Sequence, residues 1–457
     1  MAKAHCNRYT FPKLLVYLLI SLAMITVPIS TMLGTYSLFV WTALSLVIMW
    51  MAITGKSGFS LVFLSICLCE PGAILGDIDM GLFEDTLRYF YYFLFIIPVV
   101  LAFILRMKRN GHLPKNCIIL SLLYIFISIV YSDALVGSVY RVVAVSVSMY
   151  VCCCDNIDIV DIFKGIFYIF LISIIYGAID YHVGVTPYTT IFIQNIDPFV
   201  GIKRASGLLG NPLILCALVI ICQALALMSI RYIPSWLFFL LELECIYGAI
   251  IVVSRSAVLA IGLLFICYAY INRRRIRGKY LLSFVFICLV GSFLITSYLS
   301  GSIEDLLYRF SNSDSGHRLS SLGTVANILA KHPLGIGFKD YAIKLQQYAG
   351  VGKLAYVDTL DNMVLTQFAH YGILAVFVLL FYFYPFLNSL QRFRQNRYAC
   401  HLFSLYFISV LICAVIFDFE AYNNVNMFIY GVLGLFYGTF SRYEVLYCSN
   451  TQYLNAH

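Results

Sequence analysis

The chain has 457 residues, of which 62% are hydrophobic and only 11% are charged, and its formal net charge is +8. A soluble domain carries about 25% charged residues, so this composition excludes a soluble globular protein. The basic residues are concentrated in a few loops, which is typical of a membrane topology and not of a nucleic-acid-binding surface.

Apolar stretches of the ~20-residue length that a spanning helix needs recur along almost the whole chain. β-Barrels have alternating patterns instead of solid apolar runs, so the sequence predicts an all-α polytopic integral membrane protein, one membrane domain over 1–457. About 14 spans fit, within a range of roughly 11–14. Their predicted limits are 13–33, 36–54, 57–75, 86–105, 116–132, 135–153, 160–180, 211–230, 235–253, 255–271, 280–299, 362–388, 399–417 and 423–440.

Basic clusters in three connecting loops set the predicted orientation. They lie at 106–115, 273–279 and 392–397. All three fall on the cytoplasmic side if both termini are cytoplasmic, as the positive-inside rule requires. The first span is too long for a signal-peptide core and lacks a small-residue cleavage site, so we expect it to be retained.

Two loops on the predicted external side are long, at 181–210 and 300–361. Loops of this size often carry function. Within the larger one, the pattern over 316–331 predicts an amphipathic helix that lies along the membrane surface or plugs a cavity. We expect His332-Pro333 to end this helix. Its apolar positions are Leu319, Leu322, Ile328 and Leu329.

Four short segments on the external side carry candidate functional residues. In chain order they are Lys203-Arg204 with the stretch to Asn211-Pro212, Ser254-Arg255-Ser256, Gly316-His317-Arg318 with His332-Pro333-Leu334-Gly335-Ile336-Gly337, and Asp361-Asn362 followed by Gly372.

Arginine is the residue type that these segments share. Arg255 lies between two strongly apolar stretches, and an arginine at membrane depth usually has a partner. An anionic ligand would serve, since the planar guanidinium can donate two bonds to one phosphate. The alternative is an interfacial arginine that reaches lipid phosphates. Arg204 and Arg318 are candidates for the same headgroup, and a solvated surface charge is the alternative for both.

Asp361 and Asn362 open a predicted span just below the water layer. A carboxylate there would serve as a general base or orient an acceptor hydroxyl. The alternative is a helix N-cap, which favours the same residue types. His332 precedes a proline, which favours a turn over catalysis. Asp77 and Asp79 are paired acids on an early external loop that could hold a divalent metal, although a solvated loop is the favoured interpretation.

These segments, in this order, resemble the O-antigen polymerase and O-antigen ligase superfamily. The resemblance covers about Arg204 to Leu374 and includes a glycine-asparagine-proline segment, a serine-arginine segment, a large loop with an arginine and a histidine-proline-glycine turn, and a span that opens with a polar residue and asparagine. It implies a multi-pass protein of the bacterial inner membrane that acts at the periplasmic face, so the two long loops would be periplasmic.

The resemblance implies a membrane glycosyltransferase that transfers a glycan from an undecaprenyl-diphosphate carrier without a cofactor or metal. Arg255 and Arg318 would hold the diphosphate, and Asp361 is the expected base with His332 in reserve. Ligases have a histidine where this chain has Asp361, which favours the polymerase. The expected substrate-binding residues are Lys203, Arg204, Asn211, His332 and Asn362. The expected partners are the lipid-linked oligosaccharide, membrane lipid and a chain-length regulator protein, with no nucleic acid.

The sequence also leaves two other functions open. A flippase for lipid-linked oligosaccharide would also have many spans and internal charges, but transporters often have two related halves, and no such repeat is evident. A metal-dependent glycosyltransferase would use Asp77 and Asp79.

Overall fold

The computed structural model describes residue 103 and the ranges 115–131, 135–154, 157–183, 204–205, 212–271, 315–348, 360, 362–419 and 423–454. The predicted spans at 13–33, 36–54, 57–75 and 280–299 lie outside these ranges, as does all of 86–105 except residue 103. They remain predictions.

Every regular element in these ranges is helical. The α-helices are α1 Lys115–Val130, α2 Leu135–Val142, α3 Ser148–Cys153, α4 Ile159–Val183, α5 Pro212–Ser229, α6 Ser235–Ile251, α7 Arg255–Ile271, α8 Ser315–Lys331, α9 Tyr341–Tyr348, α10 Met363–Tyr371, α11 Ala375–Arg392, α12 Arg397–Ile416 and α13 Asn423–Leu454. A π-helical turn, Val143–Val147, joins α2 to α3, and a 3₁₀ turn, Gly372–Leu374, joins α10 to α11.

Four helices in the described ranges are long and apolar enough to cross a membrane, and the chain is therefore a helical membrane protein. They are Ile159–His182, Pro212–Ser229, Met363–Arg392 and Arg397–Ile416. Shorter apolar helices run over Asn116–Val130, Gly137–Cys153 and Arg255–Ile271. These bounds agree with the predicted spans to within a few residues, because long apolar runs are the strongest sequence signal for a helix in lipid.

Helix α5 is the central helix of the bundle. Its side chains are buried from Ile214 to Ser229, and it packs against α4, α6, α7 and α12. Gln223 Nε2 donates a 2.8 Å hydrogen bond to Glu242 Oε2 across the α5–α6 contact. With 18 residues and a rise of 1.5 Å per residue, α5 separates the two ends of the bundle by about 27 Å.

Two glycines let α13 approach α3 closely. A Cβ on Gly434 would collide with the Met149 carbonyl oxygen, and a Cβ on Gly438 would lie 2.9 Å from the Cys153 carbonyl carbon. Glycines four positions apart are a known device for close backbone packing between membrane helices. They allow the backbones of α13 and α3 to pack in direct contact.

The predicted loop helix exists as α8, which ends at Lys331 directly before His332-Pro333. Of the predicted apolar positions, Ile328 is fully buried in the protein, whereas the Leu322 side chain is 58% exposed. The buried face is formed by Ser321, Thr324, Val325 and Ile328. This face packs on α10, so the described part of α8 is fixed to a spanning helix.

Candidate active site

The junction between α6 and α7 presents Arg255 at the first residue of a 17-residue helix. Ser254 caps this helix, with its Oγ accepting from the Ala257 N–H at 3.2 Å. Val253 is fully buried with a φ of 50°, a left-handed conformation that is an outlier for a β-branched residue. Strained backbone of this kind persists where the surroundings enforce it, often at functional sites.

Arg204 is bonded to the same junction. Its Nε donates to the Val252 carbonyl oxygen at 3.1 Å, and the Ala205 N–H donates to the Ile251 carbonyl at 2.9 Å. Because Val252 is three residues before Arg255, two guanidinium-bearing segments that are far apart in sequence meet at one turn. A helix N-terminus also attracts anions, so the junction combines two sources of positive potential.

The end of α4 completes this part of the site. Tyr181 packs against Val253, and a ring nitrogen of His182 lies 3.1 Å from the Tyr247 hydroxyl. The sequence analysis did not single out His182. Its position at the start of the long 181–210 loop, directly after a predicted span, was the available signal.

The turn that follows α8 interlocks with the end of α10. The Ile336 N–H donates to the Ala369 carbonyl at 2.9 Å, and the Gly337 N–H donates to the His370 carbonyl at 3.1 Å. In the opposite direction, the Ile373 N–H donates to the Pro333 carbonyl at 2.8 Å. The third and fourth predicted segments therefore form one backbone-bonded unit.

Glycine is required on both sides of this contact. Gly335 has a φ of +82°, and a Cβ there would lie 2.6 Å from the Gly372 nitrogen. Gly372 has a φ of +58°, and its Cβ would collide with the Pro333 carbonyl oxygen. The Tyr131 hydroxyl adds a 2.5 Å hydrogen bond to the Leu334 carbonyl, which ties the turn to the end of α1.

Asn362 is the N-cap of α10. Its Oδ1 accepts from the Leu365 N–H at 3.0 Å, and its Nδ2 donates to the Val415 carbonyl at 3.1 Å near the end of α12. The capping alternative therefore holds for Asn362. The same side chain connects the large loop, α10 and α12.

A buried histidine lies behind the turn and was missed by the sequence analysis. The His370 ring is 4.0 Å from the Phe338 ring and 4.1 Å from the Tyr341 ring, between centroids. Arg141 interacts with it electrostatically and donates to the Tyr124 hydroxyl at 3.3 Å. In the sequence, His370 is a single histidine within an apolar span, and no local pattern predicts that Phe338 and Tyr341 cover it.

Tyr341 links this cluster to the loop between α12 and α13. Burial, and secondarily the Asp418 carboxylate, raises the pKa of the Tyr341 hydroxyl. The hydroxyl therefore keeps its proton at neutral pH and can act only as a neutral donor or acceptor. Asp418 is a carboxylate on this end of the bundle that the sequence analysis did not consider.

The two halves of the site lie on the same end of the bundle. Cys216 Sγ of α5 lies 3.3 Å from Ser254 Oγ. On the next residue, the Ala217 carbonyl accepts from Cys413 Sγ of α12 at 4.0 Å, two residues before Val415. The helices α5 and α12 therefore connect the Arg204–Arg255 junction to the Asn362 cap.

The remaining predicted residues have different outcomes. His332 is exposed, and its Nε2 lies 2.5 Å from the Tyr348 hydroxyl. Arg318 lies on α8, but its side chain is outside the described part of the structure. Within that part, no cluster of three or more histidine, cysteine or acidic side chains could hold a metal ion. The residues for which the structure gives no position are Lys203, Asn211, Asp361, Asp77 and Asp79.

Comparison with known families agrees with the sequence segments. Residues 237–380 match the family model described as O-antigen ligase, a region that includes the α6–α7 junction, α8 and the interlocked turn. A search of curated proteins found no match to this chain. The match shows that this region of the chain is similar to the O-antigen ligase and polymerase superfamily, whose members are membrane enzymes that act on lipid-linked glycans.

Proposed function

We propose that this protein is an O-antigen polymerase. It transfers the growing undecaprenyl-diphosphate-linked glycan onto a new lipid-linked repeat unit at the periplasmic face of the bacterial inner membrane. The observation that carries the proposal is the hydrogen bond from Arg204 to Val252, which brings a second arginine to the turn that presents Arg255.

The diphosphate of the donor is the group that this junction fits. Two guanidinium groups and the N-terminus of α7 provide the bidentate and dipolar contacts that phosphate oxygens accept. They stabilise the negative charge that develops on the diphosphate as the glycosidic bond breaks. Arg318, on α8, is the third arginine in this proposal.

The acceptor hydroxyl attacks the anomeric carbon from the side opposite to the diphosphate, and a base takes its proton. We assign that role to Asp361, which precedes the Asn362 cap in the sequence, and His332 is the alternative base. The cap supports the assignment because it fixes the start of α10 through the bonds to Leu365 and Val415. Lys203 and Asn211 would bind the carrier or the glycan.

O-antigen ligase is the second candidate, favoured by the description of the matching family model. A ligase would transfer the glycan to the lipid A core. Asp361 favours the polymerase, because the resemblance places a histidine at this position in ligases.

The test is a lipopolysaccharide ladder gel from a strain that lacks this gene, complemented with the wild type, Arg255→Ala or Arg255→Lys. A strain without a polymerase should show the core with a single repeat unit. Arg255→Ala should lose the ladder, and Arg255→Lys should recover little of it, because lysine keeps the charge but not the bidentate geometry. Arg394→Ala is the matched control, since Arg394 is exposed at the opposite end of the bundle.

Other gel patterns would replace the proposal. Bare core with accumulated lipid-linked polymer would identify a ligase. Lipid-linked single units retained on the cytoplasmic face would identify a flippase. A normal ladder with well-expressed Arg255→Ala would remove Arg255 from the site.

A further inference from the structure

The end of the bundle opposite to the candidate active site contains a cavity of about 390 Å³. It is formed at the N-terminal ends of α4 and α12, by the chain that follows the C-terminal end of α5, and by residues of α13. Its lining includes one basic residue, Arg231, and one acidic residue, Asp158, both exposed. The volume is within the usual range for a small-molecule site, about 300–1,000 Å³.

Aromatic rings form much of the cavity wall. The Arg231 guanidinium carbon lies 5.8 Å from the centre of the Tyr398 ring. The Tyr443 hydroxyl donates to Asp158 Oδ1 at 3.4 Å. The Tyr398 hydroxyl donates to the Met228 carbonyl at 2.9 Å, which fixes the ring beneath Arg231. Each charge is therefore supported by a tyrosine.

Tyr232 lies in the cavity wall together with the two charged residues. Burial raises the pKa of the Tyr232 hydroxyl. Among the smaller contributions, Arg231 lowers this pKa and Asp158 raises it. The Arg231 cation and the Asp158 anion therefore both act on this part of the cavity wall.

The cavity lies at the level of a membrane interface. It is formed at the ends of the spanning helices α4, α5 and α12. Trp236, in the first turn of α6 at the same end, is 68% exposed, and Tyr443 is 49% exposed. Exposed tryptophan and tyrosine are typical of the headgroup level of a bilayer.

We propose that this cavity binds the headgroup of a zwitterionic membrane phospholipid that carries a phosphate and a primary ammonium group. Arg231 bonds the phosphate, for which the guanidinium is well suited. Asp158 pairs with the ammonium group, which also lies against tyrosine faces. The apolar part of the wall, with Ile159, Val160 and Phe440, accepts the glycerol region of the lipid.

The acidic residue is the reason to choose a zwitterionic lipid over an anionic one. A purely anionic headgroup would gain from Arg231 but would be repelled by Asp158. The exposed Arg394 and Arg397 nearby attract anionic lipids to this face in general, without the need for a cavity. The proposal concerns the opposite end of the protein from the glycan site, so it stands or fails independently of the polymerase assignment.

The test uses the full-length protein, delipidated in detergent, with lipid binding measured by native mass spectrometry. Phosphatidylethanolamine, phosphatidylglycerol and soluble phosphoethanolamine are the three probes. We expect phosphatidylethanolamine to bind tightest. Arg231→Gln and Asp158→Asn should each weaken its binding by about tenfold, the usual value of one charge-assisted bond. Arg394→Gln, on the same face outside the cavity, should bind it as the wild type does.

Asp158→Asn separates the alternatives. This variant could raise the affinity for phosphatidylglycerol to that for phosphatidylethanolamine or above, and leave the affinity for phosphatidylethanolamine unchanged. In that case the site selects anionic lipids and the proposal fails. Equal binding of soluble phosphoethanolamine would identify a soluble ligand instead of a lipid. Should a variant not fold, a photoreactive phosphatidylethanolamine is cross-linked to the wild type. Attachment near Tyr398 or Tyr443 supports the proposal, and attachment elsewhere overturns it.

Discussion

The two ends of the helical bundle are built from different kinds of contact. At the active-site end, backbone groups from distant segments bond directly to each other, as Ile336 does to Ala369 and Ile373 does to Pro333. At the cavity end, the contacts are between side chains. The Arg231 guanidinium lies over the Tyr398 ring, and the Tyr443 hydroxyl donates to the Asp158 carboxylate.

This difference is what the two proposed functions would require. Glycan transfer requires reacting groups within a few tenths of an ångström of productive positions, which loops achieve only when tertiary contacts fix their backbone. Backbone-to-backbone bonds with glycines at the contact give that rigidity. A lipid headgroup is exchanged and small, so a cavity with movable, exposed side chains suffices.

The largest effect is expected from a methyl group at the backbone contact. Gly372→Ala places a Cβ against the Pro333 carbonyl at a φ of +58°. The turn cannot stay docked, so we expect a cost of about 3 kcal/mol or more and loss of the lipopolysaccharide ladder. A thermal-shift assay in detergent and the ladder gel measure the two effects.

Gly323→Ala is the control for this change. It lies on α8, and a Cβ there would have no heavy atom within 4 Å. Alanine is the better helix former by about 0.5–1 kcal/mol, so this variant should keep its ladder and melt no earlier than the wild type. Equal behaviour of the two alanine variants would show that the interlocked turn is not a rigid part of the site.

The contrast between these ends was only partly predictable from sequence. The spans at 160–180, 211–230 and 255–271 were predicted to within a few residues of α4, α5 and α7. The length of an apolar run is a local property that the bilayer fixes. The end of α8 at His332-Pro333 was predictable for a similar reason, because proline stops a helix locally.

The tertiary contacts could not be predicted in the same way. His370 and Phe338 are far apart in the chain, and only the docked turn brings their rings together. The exposure of Leu322 also depends on where α8 meets α10, because the position of that contact decides which side of α8 is covered. Asp158 and Arg231 lie in short connections that have no motif, so their common cavity had no sequence signal.

An intermediate effect is expected from two asparagine caps, one near each end. Asn362 caps α10 and also donates to Val415, whereas Asn396 caps α12 by accepting from Ala399 at 3.1 Å. Replacement of either by alanine loses a cap, about 1 kcal/mol. Asn362→Ala loses a second bond of about 1 kcal/mol, so it should melt at the lower temperature of the two.

Aspartate substitutions separate these contributions. Aspartate caps as well as asparagine does, so Asn396→Asp should be close to wild type. Asn362→Asp keeps the cap but places a carboxylate oxygen against the Val415 carbonyl, and we expect it to be less stable than Asn396→Asp by about 1 kcal/mol. If the two aspartate variants melt together, the bond between Asn362 and Val415 does not contribute to stability.

The smallest effect on stability comes from a matched pair of tyrosine hydroxyls. Tyr131 donates to the Leu334 carbonyl at the active-site end, and Tyr398 donates to the Met228 carbonyl at the cavity end. Each Tyr→Phe change removes one hydrogen bond to a backbone carbonyl, so both should cost about 1 kcal/mol in the thermal-shift assay. Their effects on the ladder should differ, because Tyr131 holds the turn that carries Gly335 whereas Tyr398 lies in the cavity wall at the opposite end of the bundle. We expect fewer long chains with Tyr131→Phe and a normal ladder with Tyr398→Phe.

Equal ladders from the two variants would mean that rigidity at the turn does not limit chain growth. The division of the molecule into a rigid and an adaptable end would then rest on geometry alone.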